Sequence, residues 1–173
     1  MHYLIRNNAE LILEPLHFDD LRLINSVKSV LADTGLPPEK LELEVTESVI
    51  QTKGNTLDIF NTLRSLGVQI AIDDFGTGYS SLGSLKQLPI DTLKIDRLFV
   101  VDMLNDTESS VLLGSIVGMA HALGYSVVAE GVEESDQVIA LRGIGCDICQ
   151  GFYFSRPVEA SQIVVLAQRR SWS

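Results

Sequence analysis

The stretch VQIAIDDFGTGYSSLGSLKQLPIDTLKI, Val68–Ile95, decides the fold. Its opening residues Val68–Ile72 are apolar and β-rich, and they stop at Asp73-Asp74 and a glycine loop. A short helix is expected near Ser80–Leu88, and Thr92–Ile95 reads as a second strand. Strand, helix and strand in so short a span make a parallel βαβ unit with a right-handed crossover. Each strand delivers ionisable side chains at its C-terminal end: Asp73 and Asp74 from the first, Lys94 and Asp96 from the second.

The same unit recurs outward in both directions. Toward the C-terminus the pattern predicts a helix near Thr107–Leu123 ended by Gly124, then a strand at Ser126–Ala129. A helix over Ser135–Ile144 ended by Gly145, a strand at Ile148–Phe154 and a helix over Ala160–Gln168 follow. Toward the N-terminus a helix around Thr56–Leu66 carries Leu57, Phe60 and Leu63 and ends at Gly67, with strand Leu41–Val45 before it. An earlier helix follows Asp19-Asp20, sets Leu21, Ile24, Val27 and Leu31 on one face, and stops at Thr34-Gly35-Leu36-Pro37. These make five strands, with Ala9–Glu14 as a candidate sixth. The fold class is α/β, all parallel, with outer helices. A doubly wound sheet and a closed barrel both satisfy the pattern, and the lack of a dinucleotide fingerprint after the first strand weighs against the open sheet.

In a (β/α)8 barrel the chemistry sits at the C-terminal ends of the strands. Those ends carry Glu44 and Glu47, Asp73 and Asp74, Lys94 and Asp96, Glu130 and Glu133, and then Gln150. Acids at strand ends often do no more than cap the following helix. That accounts for one or two of these positions, not for charged or amide groups at five strands in succession. Converging Glu44, Asp73 and Asp74 would repel one another without a counter-ion, and Mg²⁺ or Mn²⁺ prefers such oxygen ligands. Two such ions can clamp a phosphodiester and activate water. Lys94 can orient the attacking water or offset charge developing on phosphate. The residues thus point to metal-dependent phosphoester hydrolysis.

Composition narrows the alternatives. A chain of 173 residues, 46% hydrophobic and 21% charged, can bury a sizeable core, and with no linker-like stretch it is expected to form one domain over 1–173. A net charge of −10 argues against nonspecific binding to nucleic acid or acidic membranes, which need clustered Lys and Arg. No apolar run approaches a membrane span and Met1–Glu10 has no signal-peptide core, so the cytoplasm is the expected location. Cys146 and Cys149 form a single CxxC. On one strand they would face opposite ways, so two buried thiols are expected, not a redox or metal pair. His2, His17 and His121 have no ligand spacing to one another.

At the strand ends the sequence resembles the EAL phosphodiesterase family. The matching stretches are Glu44–Ser48 (EVTES), Asp73–Ser81 (DDFGTGYSS), Leu93–Asp96 (LKID), Ala129–Glu133 (AEGVE) and Gln150–Pro157 (QGFYFSRP), in family order from about Leu36 to the end. The resemblance implies a TIM-like (β/α) barrel that hydrolyses cyclic di-GMP to linear pGpG with Mg²⁺ or Mn²⁺. It implies Glu44, Asp73 and Asp74 as metal ligands and Lys94 at the catalytic water. Glu130 would act at the metal–water centre and Gln150 near the water and phosphate. Glu47 would hold the DDFGTGYSS loop and couple the metal site to a dimer surface. Asp96 and Glu133 would support the site, and Arg156 and Pro157 would line the guanine side.

Two departures accompany these matches. No Glu-Ala-Leu tripeptide occurs, and the family's glutamate there is a metal ligand. Gapless alignment backward from Glu44 sets Ile12-Leu13-Glu14-Pro15-Leu16 against the family's N-L-S-P-L, so Ile12 replaces an asparagine ligand, unless a gap brings Asn7 or Asn8 into play. An aliphatic side chain cannot bind a divalent ion. The expectation is an incomplete barrel of about six of eight strands, lacking its N-terminal strands, with impaired turnover. Open edges predict a homodimer or strand-exchanged oligomer. The alternatives are a non-catalytic module that binds cyclic di-GMP or a protein partner, and a fragment of a longer parent of the kind the family joins to sensory or GGDEF domains.

Overall fold

The computed structural model describes residues 9–13, 21–47, 56–76 and 82–167. Six parallel strands form one open sheet in sequence order: β1 Ala9–Leu13, β2 Leu41–Thr46, β3 Gln69–Phe75, β4 Thr92–Ile95, β5 Ser126–Ala129 and β6 Ile148–Cys149. The helices are α1 Leu21–Thr34, α2 Thr56–Ser65, α3 Leu82–Leu85, α4 Arg97–Asp102, α5 Thr107–Ala122, α6 Ser135–Gly143 and α7 Ala160–Ala167, with a 3₁₀ turn at Pro38–Lys40. No described helix is long and apolar enough to cross a membrane.

Period-2 alternation explains how the sheet builds its site. In β2, Leu43 and Val45 join the core cluster, and so do Ile70 and Ile72 of β3, Leu93 and Ile95 of β4, and Val127 and Ala129 of β5. The helices supply Ile24 and Val27, Ile59, Phe60 and Leu63, Val100, Leu113 and Val117, and Val138 and Leu141 to the same core. The residues between them point to the opposite face. That face holds Glu42, Glu44, Thr92 and Lys94, all buried. The sheet therefore has a greasy side under the helices and a polar inner side.

The paired registers fix which inner residues meet. Ile12 is the Cα partner of Glu44, Glu44 of Ala71, and Thr46 of Asp73. Between β3 and β4 the register shifts at Ile72/Phe75, and Asp74 takes φ +54, a left-handed conformation that non-glycine residues avoid. Strict alternation would send Asp73 and Asp74 to opposite faces; the irregularity brings their carboxylates within reach of each other.

Most expected elements lie where the pattern put them, including the candidate sixth strand. Three differ. Helix α4 was not foreseen; it is only six residues long, and Asp96 starts it by accepting a 2.8 Å hydrogen bond from the Leu98 amide. Strand β6 is two residues long where Ile148–Phe154 was expected. The chain turns away after Cys149 because Gly151 approaches the Val132 backbone so closely that a Cβ there would lie 2.1 Å from the Val132 oxygen. Cys146 therefore precedes the strand instead of sharing it with Cys149; it is buried, its thiol donating to Ile148 O at 3.3 Å and Val127 O at 3.7 Å, and Cys149 is half-buried. The expected elements at Glu14, Asp19-Asp20, Ser80-Ser81 and Gln168 fall outside the described residues, as do Asn7, Asn8, His2, His17, Ser48 and the Thr77–Ser81 part of DDFGTGYSS.

Candidate active site

Lys94 is the centre of the inner face. It is 3% exposed, at the end of β4, and its Nζ lies 2.8 Å from Glu130 Oε1 and 3.8 Å from Asp73 Oδ1. It also donates to Glu44 of β2, itself 3% exposed. One ammonium thus serves three carboxylates from three neighbouring strand ends. Burial alone would lower the Lys94 pKa, but hydrogen bonds to Glu130 and Glu44 and the charges of Glu130 and Asp73 outweigh it and hold the ammonium above its ordinary range. Burial pushes Glu44 and Glu130 upward, and Lys94 only partly offsets this because the acids also repel one another. The cluster is short of positive charge.

Asp73 shows where that charge is wanted. Its Oδ1 is buried and accepts no hydrogen bond, an arrangement that costs free energy unless something cationic approaches. Oxygens of Asp73, Asp74 and Glu130 lie within 4.8 Å of one another. Burial raises the Asp74 pKa, with the charges of Asp73 and Asp96 and a hydrogen bond with Asp96 adding to it. A hard oxygen-ligated cation fits this donor set, so the group could hold a metal ion.

The remaining expected residues take different places. Glu47 accepts a 3.4 Å hydrogen bond from the Gly76 amide, and so reaches the turn after Asp73-Asp74. Gly76 has φ +100, and any Cβ there would lie 2.5 Å from the Phe99 ring of α4. Asp96 caps α4 and touches Asp74. Gln150 binds through its backbone: its amide donates to Ala129 O at 2.9 Å and its oxygen accepts from the Val132 amide at 3.0 Å, on either side of Glu130. Glu133 is exposed and pairs with Arg97 at 2.9 Å, outside the Lys94 cluster. Arg156 and Pro157 are exposed too; the Arg156 guanidinium sits 4.6 Å over the Phe152 ring and does not enter the cluster.

Two inner-face acids were overlooked. Glu10, Glu42 and Glu44 form a second group with oxygens within 4.8 Å of one another, and Glu42 accepts from Thr92 Oγ1 at 3.0 Å. The L-E-L-E-V alternation of β2 was the available signal, since it places Glu42 on the face of Glu44.

Fold and rim together define a parallel β/α protein of the barrel type with a lysine-centred acid cluster at its strand ends. A family model described as the EAL domain matches residues 7–157. The chain belongs to that family. The bifunctional diguanylate cyclase/cyclic di-GMP phosphodiesterase MucR of Pseudomonas aeruginosa is 41% identical over 158 residues, 91% of this chain and 23% of that protein. The solved PaMucR phosphodiesterase, in complex with c-di-GMP, superposes with a TM-score of 0.85 at 41% identity, covering 90% of this chain and 64% of that one. BlrP1 of Klebsiella pneumoniae, in a manganese/cy-diGMP complex, gives 0.80 at 32% identity over 88% and 40%. The chain spans 18% to 39% of the length of the curated relatives it matches.

Proposed function

We propose that this chain acts as a cyclic di-GMP phosphodiesterase domain, opening the cyclic dinucleotide to linear pGpG with Mg²⁺ or Mn²⁺. The observation that carries the reading is the Asp73 oxygen left without a hydrogen bond inside a cluster where one lysine faces three carboxylates. Relatives named as cyclic di-GMP phosphodiesterases support it, over the same stretch of chain.

In this reading Glu44, Asp73 and Asp74 hold the divalent ions. When bound, the ions polarise the phosphoryl oxygens and acidify the attacking water. Glu130, its pKa raised by burial, is suited to take a proton from that water. The water oxygen forms a bond to phosphorus, the P–O3′ bond breaks, and the departing oxygen takes up the proton that Glu130 received and leaves as the 3′ hydroxyl. Lys94 holds Glu44 and Glu130 in place and offsets charge on the phosphate. Gln150 would orient the water, Glu47 would fix the turn at Gly76, Asp96 and Glu133 would support the surrounding loops, and Arg156 and Pro157 would face a guanine. The domain would occupy 1–173 and work in the cytoplasm.

A second reading, a module that binds cyclic di-GMP without cleaving it, is favoured by Ile12. Its backbone is paired with Glu44 on the inner face, and the aliphatic side chain, 63% exposed, offers no ligand there. The edges β1 and β6 of the described sheet also suit a homodimer or strand-exchanged oligomer.

The test is incubation of the purified, folded protein with cyclic di-GMP and Mn²⁺ or Mg²⁺, with linear pGpG followed by chromatography and Glu44→Gln as control. Product that vanishes in the variant supports hydrolysis. No product, with cyclic di-GMP still bound in equilibrium dialysis, supports the binding module instead.

A further inference from the structure

Gln137, in the first turn of α6, is 6% exposed, and no step above uses it. A buried amide is costly unless its groups are paired, and here they are paired in two directions. Its Oε1 accepts from the Glu133 and Glu134 amides, at 2.8 and 3.0 Å. Its Nε2 donates to Val100 O of α4 at 3.3 Å, a link across 37 residues of chain. The first two bonds are local and serve to start α6. The third does nothing for α6; it fastens the loop from Glu130 to Glu134 onto α4.

The loop meets the same side of the molecule at two further points. The Glu130 amide donates to Ile95 O, just ahead of α4, at 3.1 Å. Gly131 has φ +67, and a Cβ there would lie 2.3 Å from Arg97 Cγ and 2.6 Å from Arg97 Cβ. The Arg97 stem thus crosses the loop, and its guanidinium pairs with Glu133. Helix α4 also reaches the other half of the site, where its Phe99 ring closes over Gly76 in the turn after Asp73-Asp74. The oxygens of Asp73, Asp74 and Glu130 that lie within 4.8 Å of one another come from these two loops. Both loops rest on one six-residue helix, so α4 sets the spacing between them.

We propose that Gln137 is a positioning residue, whose side-chain amide fastens the Glu130 loop to α4 and so fixes Glu130 at cation-binding distance from Asp73 and Asp74. The inference rests on the reading of those acids as a divalent-ion site. The exposed Arg97–Glu133 pair adds little by itself, because solvent screens it, so the buried amide carries the tie. Without it Glu130 can drift while the sheet and Lys94 stay in place. Groups that hold metal ligands in this way change metal affinity by about 10–100-fold.

The experiment compares Gln137→Glu and Gln137→Met with the parent chain. Glutamate keeps an oxygen for the Glu133 and Glu134 amides but has no N–H for Val100 O; methionine loses both. Mn²⁺ binding is measured by calorimetry without nucleotide, and amide hydrogen exchange is measured without metal. Both variants should bind Mn²⁺ about tenfold more weakly. In Gln137→Glu the added negative charge would by itself favour Mn²⁺, so weaker binding there cannot be a charge effect. The Glu130 amide should exchange about fivefold faster in both variants, as expected for the loss of one ordinary hydrogen bond. Thermal denaturation checks that the glutamate variant, which keeps the start of α6, is folded. Parent-like Mn²⁺ affinity in folded Gln137→Glu, or weakening in Gln137→Met alone, would show that the amide only starts α6 and would overturn the proposal. A parent chain that takes up no Mn²⁺ would sink the metal-site reading instead. Exchange then decides the tie alone, and an unchanged Glu130 amide in Gln137→Glu would overturn it.

Discussion

From β2 to β5 the charged strand ends answer one another: Glu44 and Glu130 both reach Lys94, and Asp73 lies 3.8 Å from it. At the two edges the picture changes. Ile12 of β1 offers only hydrocarbon beside Glu44, and Gln150, after the two-residue β6, is held by its backbone and exposed at its side chain. In the middle of the sheet, hydrogen-bonded neighbours on both sides preorganise the charges before any ligand arrives. An edge strand has one neighbour, so its side chains are positioned by half as many constraints. The central cluster should therefore be the costlier to disturb, and the β1 edge the place where turnover can still be gained.

The largest effect expected is from Lys94→Met. It leaves Glu44, Asp73 and Glu130 without their common counter-ion, and breaking a buried pair in this way costs about 3–5 kcal/mol. Urea denaturation measures it, and hydrolysis should fall at least ~100-fold. A variant as stable as the parent would mean that the centre of the sheet is no more committed than its edges.

Gly151→Ala comes next. The added methyl carbon would lie 2.1 Å from the Val132 oxygen and 2.3 Å from its nitrogen, both backbone atoms that cannot swing aside. A loss of about 1–3 kcal/mol is expected, as for other overpacked sites. Thermal denaturation decides it, and full stability would show that the β5–β6 edge yields easily.

Much of this architecture was legible in the sequence. The alternation of L-E-L-E-V and T-L-K-I announced strands with apolar and polar faces, and the acids at strand ends marked the rim. The pairing of Asp73 with Asp74 was not readable from alternation, because it depends on a register shift and a left-handed Asp74. Nor was α4: six residues hold too little periodicity, and its start rests on the Asp96 cap. The short extent of β6, which leaves Cys146 ahead of the strand, depended on the backbone approach at Gly151 and not on residue spacing.

Ile12→Asn tests the edge from the other direction. It places an amide on the inner face beside Glu44, at a position exposed enough that stability should move by less than about 0.5 kcal/mol. If an absent ligand limits turnover, Mn²⁺-dependent hydrolysis of cyclic di-GMP should rise at least ~10-fold, the lower end of what lost metal partners cost. No gain, with Glu44→Gln still inactivating, would place the limit elsewhere than β1.

The smallest effect links the charges to pH. Glu44 and Glu130 have folded pKa values above their ordinary 4.5, with burial the leading cause. Between 4.5 and those raised values the folded protein binds more protons than the unfolded chain, so its stability falls as the pH climbs through that window. Lys94 does not interfere, since its pKa is raised above 10.5 and its contribution is complete at every lower pH. A divalent ion competes with those protons for the same oxygens, so Mn²⁺ should stabilise more at pH 8 than at pH 5. A difference near 1 kcal/mol would appear as about 2–4 °C in the midpoint of thermal denaturation for a chain of this size. Asp73→Asn should shrink it, because the oxygen that lacks a hydrogen bond is where the positive charge is missing. An equal gain at both pH values would detach the metal from the acid cluster and leave the lysine as its sole counter-ion.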